Sequence, residues 1–482
     1  MSVRLFKRLD DVAVVTICLV AVLYCREAQA VTLDAALVEA YQGNPTLNSQ
    51  RASARATDEA VPQALSGYRP NVSIVVNGGQ QSLSSTTRLT GTTGIAGLGG
   101  GNLPATYFTQ SGYNTPFSAG ATITQTLFNG FQTASRTRQA EAQVLAARAT
   151  LYNTEQTVLL SAVTAYMNVL LNGAILDLQR RNVEVLQEQL RQTRDRFNVG
   201  EVTRTDVAQA ESSLAAGRSQ VLSAEATYTA SIATYRQVIG SNPTRLSPGS
   251  PVDRFSPSNQ NEAVAVAIAT HPAVAAAQFN VDVAQQQVKV AESALYPTVT
   301  VQGSFVKGLQ AVGSLNTEES YAASVLGTLT VPIYQGGAEY SAIRQAKELL
   351  GQTRLNLDVT RDQTRQTVVQ SWGLLEAAKA NIEATTAQVQ AAEIALNGIR
   401  EEARVGQRTT FDVLTAQQTL VNARVSLVTA QHDRVVASYT LLAAVGRLTP
   451  TVLGLRTPVY RSQVHYEQVR DSWAGVRTPD GR

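Results

Sequence analysis

Cysteine is almost missing from this chain. The 482 residues include two, Cys18 and Cys25, both near the start, so nothing downstream can be stapled by disulfides. Histidine is nearly as scarce. His271, His432 and His465 stand far apart without metal-ligand spacing, so no metal site is expected; His271 reads more simply as the residue before Pro272. No phosphate-cradling glycine loop occurs, so no nucleotide or other cofactor is implied. No nucleophile, base and orienting acid share a pattern, and the chain is not expected to be an enzyme. Lys and Arg total 40 against 37 Asp and Glu, a balance that suggests no nucleic-acid partner. Aromatics make up 6% of the chain, which suits long helices with a modest apolar stripe better than a fat globular core. Beyond residue 30 there is no run of 18 or more apolar residues. A membrane crossing by this part would have to be a β-barrel.

The N-terminus carries the pattern of a secretory signal over residues 1–30. Arg4, Lys7 and Arg8 form a basic region, residues 12–24 an apolar run, and Ala28-Gln29-Ala30 a small-x-small cleavage site. The mature chain is expected to start at Val31 and to be exported. Cys25 follows Tyr24, a poor site for lipid attachment.

Proline is absent from residues 131–242 and 335–449, which permits two very long helical hairpins. Each is broken once, by Val199-Gly200 and by Val405-Gly406. Glycine takes the left-handed cap without steric cost. Thr203 and Thr205 are candidate N-caps for the return helix, with Asp206 in its first turn; Thr409 and Asp412 stand likewise in the second copy. Between prolines the pattern changes from helical to alternating. Val72, Ile74 and Val76 mark a strand at 71–81; Ala119, Ala121, Ile123 and Leu127 mark one at 117–128. Strands at 298–306 and 321–334 mirror them. The Gly, Ser and Thr-rich stretch 80–115 reads as a long loop.

The chain is an internal duplication. Pro45 to Pro272 and Pro70 to Pro297 are both offsets of 227, whereas Gly130 to Gly336, Gly200 to Gly406, Asp206 to Asp412 and Gly240 to Gly446 are all offsets of 206. The difference of 21 is an insertion in the first strand-to-strand loop. A heptad seam stays in register, with Leu176, Val183 and Leu190 against Ile382, Val389 and Leu396. The expected organisation is a first repeat at 31–240 with its hairpin at 131–240, a Pro and Ser-rich linker at 241–260, a second repeat at 261–449 with its hairpin at 335–449, and a polar tail at 450–482.

Four strands cannot close a membrane barrel, which needs about eight. Two copies would give about eight strands and little bore, three about twelve and a water-filled one. Three are favoured, with the apolar strand face on lipid and the hydroxyl face on the bore. The first long helix, at 131–198, would run roughly 100 Å at about 1.5 Å per residue. Its return arm and the helix at 45–69, end to end, nearly match it. Three such walls would enclose a tunnel.

These features resemble the TolC-like outer-membrane channel proteins of Gram-negative bacteria, over essentially all of the mature chain. The most specific motifs are Arg196-Phe197-Asn198-Val199-Gly200 through Thr205-Asp206-Val207, and Val405-Gly406 through Phe411-Asp412-Val413-Leu414. The resemblance implies a mixed α and β membrane protein: a homotrimer sharing one twelve-stranded barrel, four strands per chain, above a long periplasmic α-helical coiled-coil barrel. It implies the exit duct of tripartite efflux or type I secretion systems, passively conducting substrates across the outer membrane. Partners would be a periplasmic adaptor (membrane fusion) protein and an inner-membrane ABC or RND-type transporter. Adaptor contact is carried over to Val199, Gly200, Thr203, Thr205, Val405, Gly406 and Thr409. Asp206 and Arg408 match an entrance-closing pair, and Asp412 a constricting carboxylate ring. Ala403 stands where the family pattern can have a latching Tyr, and Thr415 where a second acid can stand. The other class of reading is a secreted or periplasmic structural spacer without channel activity. Tyr107, Phe108, Tyr113, Phe305 and Tyr321 are candidates for an interfacial aromatic girdle.

Overall fold

A computed structural model describes residues 30–89, 106–311, 317–479 and 481. The expected signal segment, apart from Ala30, lies outside the described residues, as do both cysteines. Three short helices come first: α1 (Leu33–Gly43), α2 (Pro45–Asp58) and α3 (Ala60–Leu65). Thr32 caps α1, its hydroxyl accepting from the Ala35 N–H. Strands follow as β1 (Asn71–Gly78), β2 (Gln81–Leu89), β3 (Thr106–Asn114) and β4 (Phe117–Asn129). The first hairpin is α4 (Gln132–Asn198) and α5 (Arg204–Ile239); the second half supplies α6 (Gln260–Thr270), α7 (Pro272–Glu292), β5 (Thr298–Ala311), β6 (Thr317–Thr330), α8 (Ala338–Arg404) and α9 (Thr410–Ala444). Two short helices close the chain, α10 (Pro450–Leu453) and α11 (Ser462–Val469).

The chain divides into two compact units, and each draws on both repeats. One holds residues 58–143, 280–353 and 467–482. Its main sheet has the order β1-β4-β5-β6, antiparallel at every pairing. Residues paired directly across strands share a face. One face therefore carries Val72, Ile74 and Val76, then Ala119, Ala121 and Ile123, then Val299, Val301 and Phe305, then Ala323, Val325 and Leu329. The other is mostly hydroxyl and amide, Ser73, then Thr122 and Thr124, then Thr300, Gln302 and Ser304, then Ser324 and Thr328, with Val75, Val306 and Leu326 set among them. Ser304 and Ser324 hydroxyls meet at 2.8 Å. The apolar face is bare within one chain: Ile74 is 76% exposed and Val325 82%. A bare apolar sheet face of this extent marks contact with lipid or protein. The outer edges of β1 and β6 have no strand partner among the described residues.

The stretch 80–115 differs from the expected loop. Its described residues form a second, two-stranded sheet, β2 on β3, continuing the β1–β4 pair. Thr86 and Thr109 hydroxyls meet across it at 3.0 Å. The last strand also begins earlier than expected and ends at Thr330, leaving residues 331–334 without strand pairing. Gly130 turns the chain from β4 into α4 at φ 60°, and a side chain there would meet Tyr296 Cβ at 2.5 Å. Only glycine fits both constraints.

The other unit holds residues 1–57, 144–279 and 354–466. Its largest core packs α1, α4, α5 and α9 around Tyr41, Tyr166, Tyr235, Leu159, Ile239 and Leu442. Two helical stretches, Gln132–Asn198 and Gln260–Leu295, are long and apolar enough in part to cross a membrane. The first has 67 residues, against about 20 needed for a span. Its apolar residues Leu151, Val158, Leu159, Val163 and Tyr166 belong to this core. The expected linker at 241–260 is also packed. Leu246 bridges to Val31, Val252 is buried, and Asp253 pairs with Arg434 of α9.

The tail is folded too. The Tyr460 N–H donates to the Tyr41 hydroxyl at 3.1 Å, and the Arg51 guanidinium lies 4.5 Å from the Tyr41 ring and 5.2 Å from the Tyr460 ring. Beneath them Glu155 is 3% exposed and accepts from the Tyr41 hydroxyl at 3.3 Å. Loss of water raises its pKa to about 7, against the opposing pull of Arg51 and of that hydrogen bond.

Candidate functional site

The two hairpin tips repeat each other closely. Gly200 and Gly406 both sit at φ 82°, with open space around them. Val199 and Val405 beside them are 72% and 73% exposed. A solvent-facing valine flanking a tight turn contributes nothing to the core, so the pair forms an apolar point at each tip.

Thr203 and Thr409 cap the return helices, each through a reciprocal box. The Asp206 N–H donates to the Thr203 hydroxyl at 3.3 Å, and Asp206 Oδ2 accepts from the Thr203 N–H at 2.9 Å. In the second tip Asp412 Oδ2 accepts from the Thr409 N–H at 3.0 Å and from its hydroxyl at 2.9 Å. Four orphan N–H groups open every helix, and this arrangement satisfies two reciprocally at each. Thr205, the other candidate cap, lies inside α5 instead. The bonds from Thr409, backbone first, and then the charge of Arg408 lower the Asp412 pKa below the ordinary carboxylate value.

Within one chain Asp206 and Arg408 are not joined. Asp206 is taken up by Thr203, while Arg408 Nε donates to Glu402 Oε2 at 2.8 Å across the turn. Glu402 was not among the residues singled out from the sequence. Its only signal is an acid six positions before an arginine, astride a Val-Gly turn.

The tips also carry a small apolar cluster. Leu186 and Leu190 of α4 meet Ala210 and Leu214 of α5, and Leu414 of α9 joins them. A cleft of about 590 Å³ nearby is lined by Glu188, Gln192 and Arg196 of the first hairpin and by Arg400, Ala403 and Arg404 of the second. No group of three or more metal-ligating side chains occurs among the described residues.

Comparison with known proteins bears on the whole chain. The family profile described as outer membrane efflux protein matches residues 36–241 and 263–447. The outer membrane efflux protein BepC of Brucella suis biovar 1 (strain 1330) is 42% identical over 461 residues, covering 96% of this chain and 95% of its own length. The outer membrane protein TolC of Escherichia coli (strain K12) is 27% identical over 346 residues, 69% of either chain. Among solved structures, the Campylobacter jejuni CmeC outer membrane channel superposes with a TM-score of 0.71 at 15% identity, covering 91% of this chain and 89% of that one.

Proposed function

We infer from its membership of the outer membrane efflux protein family, to which this chain belongs, that the molecule is the exit duct of a tripartite export machine. It resides in the outer membrane of a Gram-negative bacterium with a large periplasmic helical part. The observation that carries the reading is the β1-β4-β5-β6 sheet, with one face apolar, one face hydroxylated and both edges open. Such a sheet cannot close on itself. Because the number of strands per chain is even and directions alternate, β6 of one copy runs antiparallel to β1 of the next. Three copies seal a wall of about twelve strands, its apolar face in lipid and its Ser and Thr face on water. A secreted spacer would have no use for a bare apolar sheet face.

The partners follow as proposals. A periplasmic adaptor engages the tips through Val199, Gly200, Thr203, Thr205, Val405, Gly406 and Thr409, and an ABC or RND-type transporter supplies the energy. Asp206 and Arg408 of neighbouring chains hold the entrance shut, and three Asp412 carboxylates ring it. The exposed tip valines support the adaptor contact, and the exposed position of Arg408 at the second tip is compatible with a link to a neighbouring chain.

Reconstitution in planar bilayers tests the reading. Stepwise, cation-preferring conductance is expected, larger after Asp206→Ala or Arg408→Ala. No conductance from the wild type or from Asp412→Ala, or release from membranes without detergent, would overturn it.

A further inference from the structure

The first repeat carries 21 residues in its strand-to-strand loop that the second lacks, and with them it builds the β2–β3 ribbon. The ribbon continues the β1–β4 pair without a slip. Gly78 faces Phe117, and three residues further along each strand Gln81 faces Asn114. Between them the Gly79 N–H donates to the Pro116 carbonyl at 3.2 Å. An unbroken register keeps each residue on its face. The apolar face of the sheet therefore runs on as Ser82 opposite Tyr113, Ser84 opposite Ser111 and Thr86 opposite Thr109, and ends at Tyr107. Along one continuous face the composition changes from Val, Ile and Ala to hydroxyl groups.

The change falls where hydrocarbon must end. A strand needs about 9–11 residues to span a membrane, and β4 has 13. The crossing is complete within β4, and β3 lies beyond it, at the strand ends away from the helices. With the helices in the periplasm, that end is outside the cell. β4 does not pair with β5 past Phe117, and both ribbon edges are unpaired among the described residues. The side chains of this face are exposed, Tyr113 by 72% and Tyr107 by 65%. Because the same face meets lipid lower down, here it looks sideways into the layer that surrounds the barrel above the hydrocarbon.

The chemistry of the face selects its occupant. Arg88 stands level with Tyr107; before it the face holds no charged residue. The Thr86 and Thr109 hydroxyls share one bond at 3.0 Å. Each hydroxyl has one donor and two lone pairs, so the pair keeps a donor and several lone pairs for a ligand. Tyr113 and Tyr107 are six positions apart, roughly 20 Å at about 3.4 Å per residue. Each offers an apolar ring with a polar tip. Sugars match this pattern, with hydroxyls around their edges and C–H groups on their ring faces. A protein partner is held by a desolvated apolar centre, and the middle of this face has none.

We propose that the hydroxyl face of the β2–β3 ribbon binds the saccharide of the glycolipid that forms the outer leaflet around the protein. Tyr113 meets the sugars nearest the lipid anchor and Tyr107 those farther out, with Ser84, Ser111, Thr86 and Thr109 hydrogen-bonding between them. The proposal rests on the outer-membrane placement of the strands.

Full-length protein in detergent, stripped of native lipid, is titrated with micelles of rough lipopolysaccharide, which carries core sugars, and separately with lipid A. The wild type is expected to bind the core-bearing form at least about tenfold more tightly, about 1.4 kcal/mol. Tyr107→Ala with Tyr113→Ala is expected to abolish that preference. So is Thr86→Val with Thr109→Val, which keeps strand propensity while removing the hydroxyls, and so is Ser84→Glu, which sets a charge against the phosphates of the glycolipid. Oligomer stability is measured on each variant and is expected to stay at the wild-type level. Equal affinity of the wild type for both lipids, or a preference that survives in all three variants, overturns the proposal. So does efficient disulfide linkage of Ser84→Cys between copies, which would mean that a neighbouring ribbon covers the face. Planar-bilayer conductance of the same samples separates this outcome from failure of the duct: current without a sugar preference leaves the duct standing.

Discussion

Asp412 shows how one side chain serves fold and function together. Its Oδ2 is held by the Thr409 N–H and hydroxyl, which leaves its second oxygen for the carboxylate ring proposed above. Its lowered pKa means the negative charge survives to lower pH than an ordinary aspartate allows. The sign is that of a stabilised carboxylate: the cap's contribution is full above the unfolded value of about 3.9 and is lost as pH falls through the lowered one. Cation preference, read as the reversal potential in a salt gradient, is expected to persist on acidification to about pH 4, near that ordinary value. In Thr409→Ala it should fade at higher pH, and in Asp412→Asn it should be weak throughout. Equal acid profiles for Thr409→Ala and wild type would separate the charge from the cap. The caps themselves were legible, because Thr three residues before Asp, just past Val-Gly, has few other uses. The partner of Arg408 within its own chain, Glu402, was not, because spacing alone cannot choose among the acids near the turn.

At the scale of elements, the strands and long helices were readable wherever apolar periodicity or proline absence marked them. The β2–β3 ribbon was missed because Ser82, Ser84 and Thr86 opposite Thr109, Ser111 and Tyr113 alternate hydroxyl with hydroxyl. A strand pair without an apolar face carries no period-two signal. The C-terminal segment was missed for a different reason. Its hold on the helices includes a cation between two rings and apolar packing of Leu453 and Leu455 on the core, made by residues mostly hundreds of positions apart in sequence, and no local pattern reports such contacts. Glu155 beneath that clasp makes it sensitive to pH. A carboxyl whose folded pKa stands near 7, above its free value of 4.5, is stabilising while protonated and loses that contribution as pH rises through this window. The change is up to about 3 kcal/mol. Glu155→Gln is expected to flatten the decline in melting midpoint between about pH 4 and 8, bracketing the window, and to protect residues beyond 455 from protease at the alkaline end. A wild-type midpoint that does not fall over that range would mean the carboxyl is better hydrated than its burial indicates.

Across the whole molecule, duplication joins what the sequence shows to what one chain lacks. The 206-residue offset predicted matching tips, and the structure gives both the same φ and the same cap. The incompleteness of the barrel was legible from strand count, and the open edges of β1 and β6 are its structural form. Cysteine at Ser73 of β1, tested in turn against cysteine at Ser320, Ser324 and Thr328 of β6, is expected to join separate copies in one register. The linked ladder should stop at three chains. No linkage in any register would mean the edges do not meet.

The alternating sheet has one more implication, for stoichiometry. Its directions match whether two, three or four copies assemble, so hydrogen bonding along the seams is indifferent to the number of subunits. Strand direction alone therefore leaves ring size open, and what fixes the count of copies must lie in other features of the chain, such as the tilt and stagger with which the strands close.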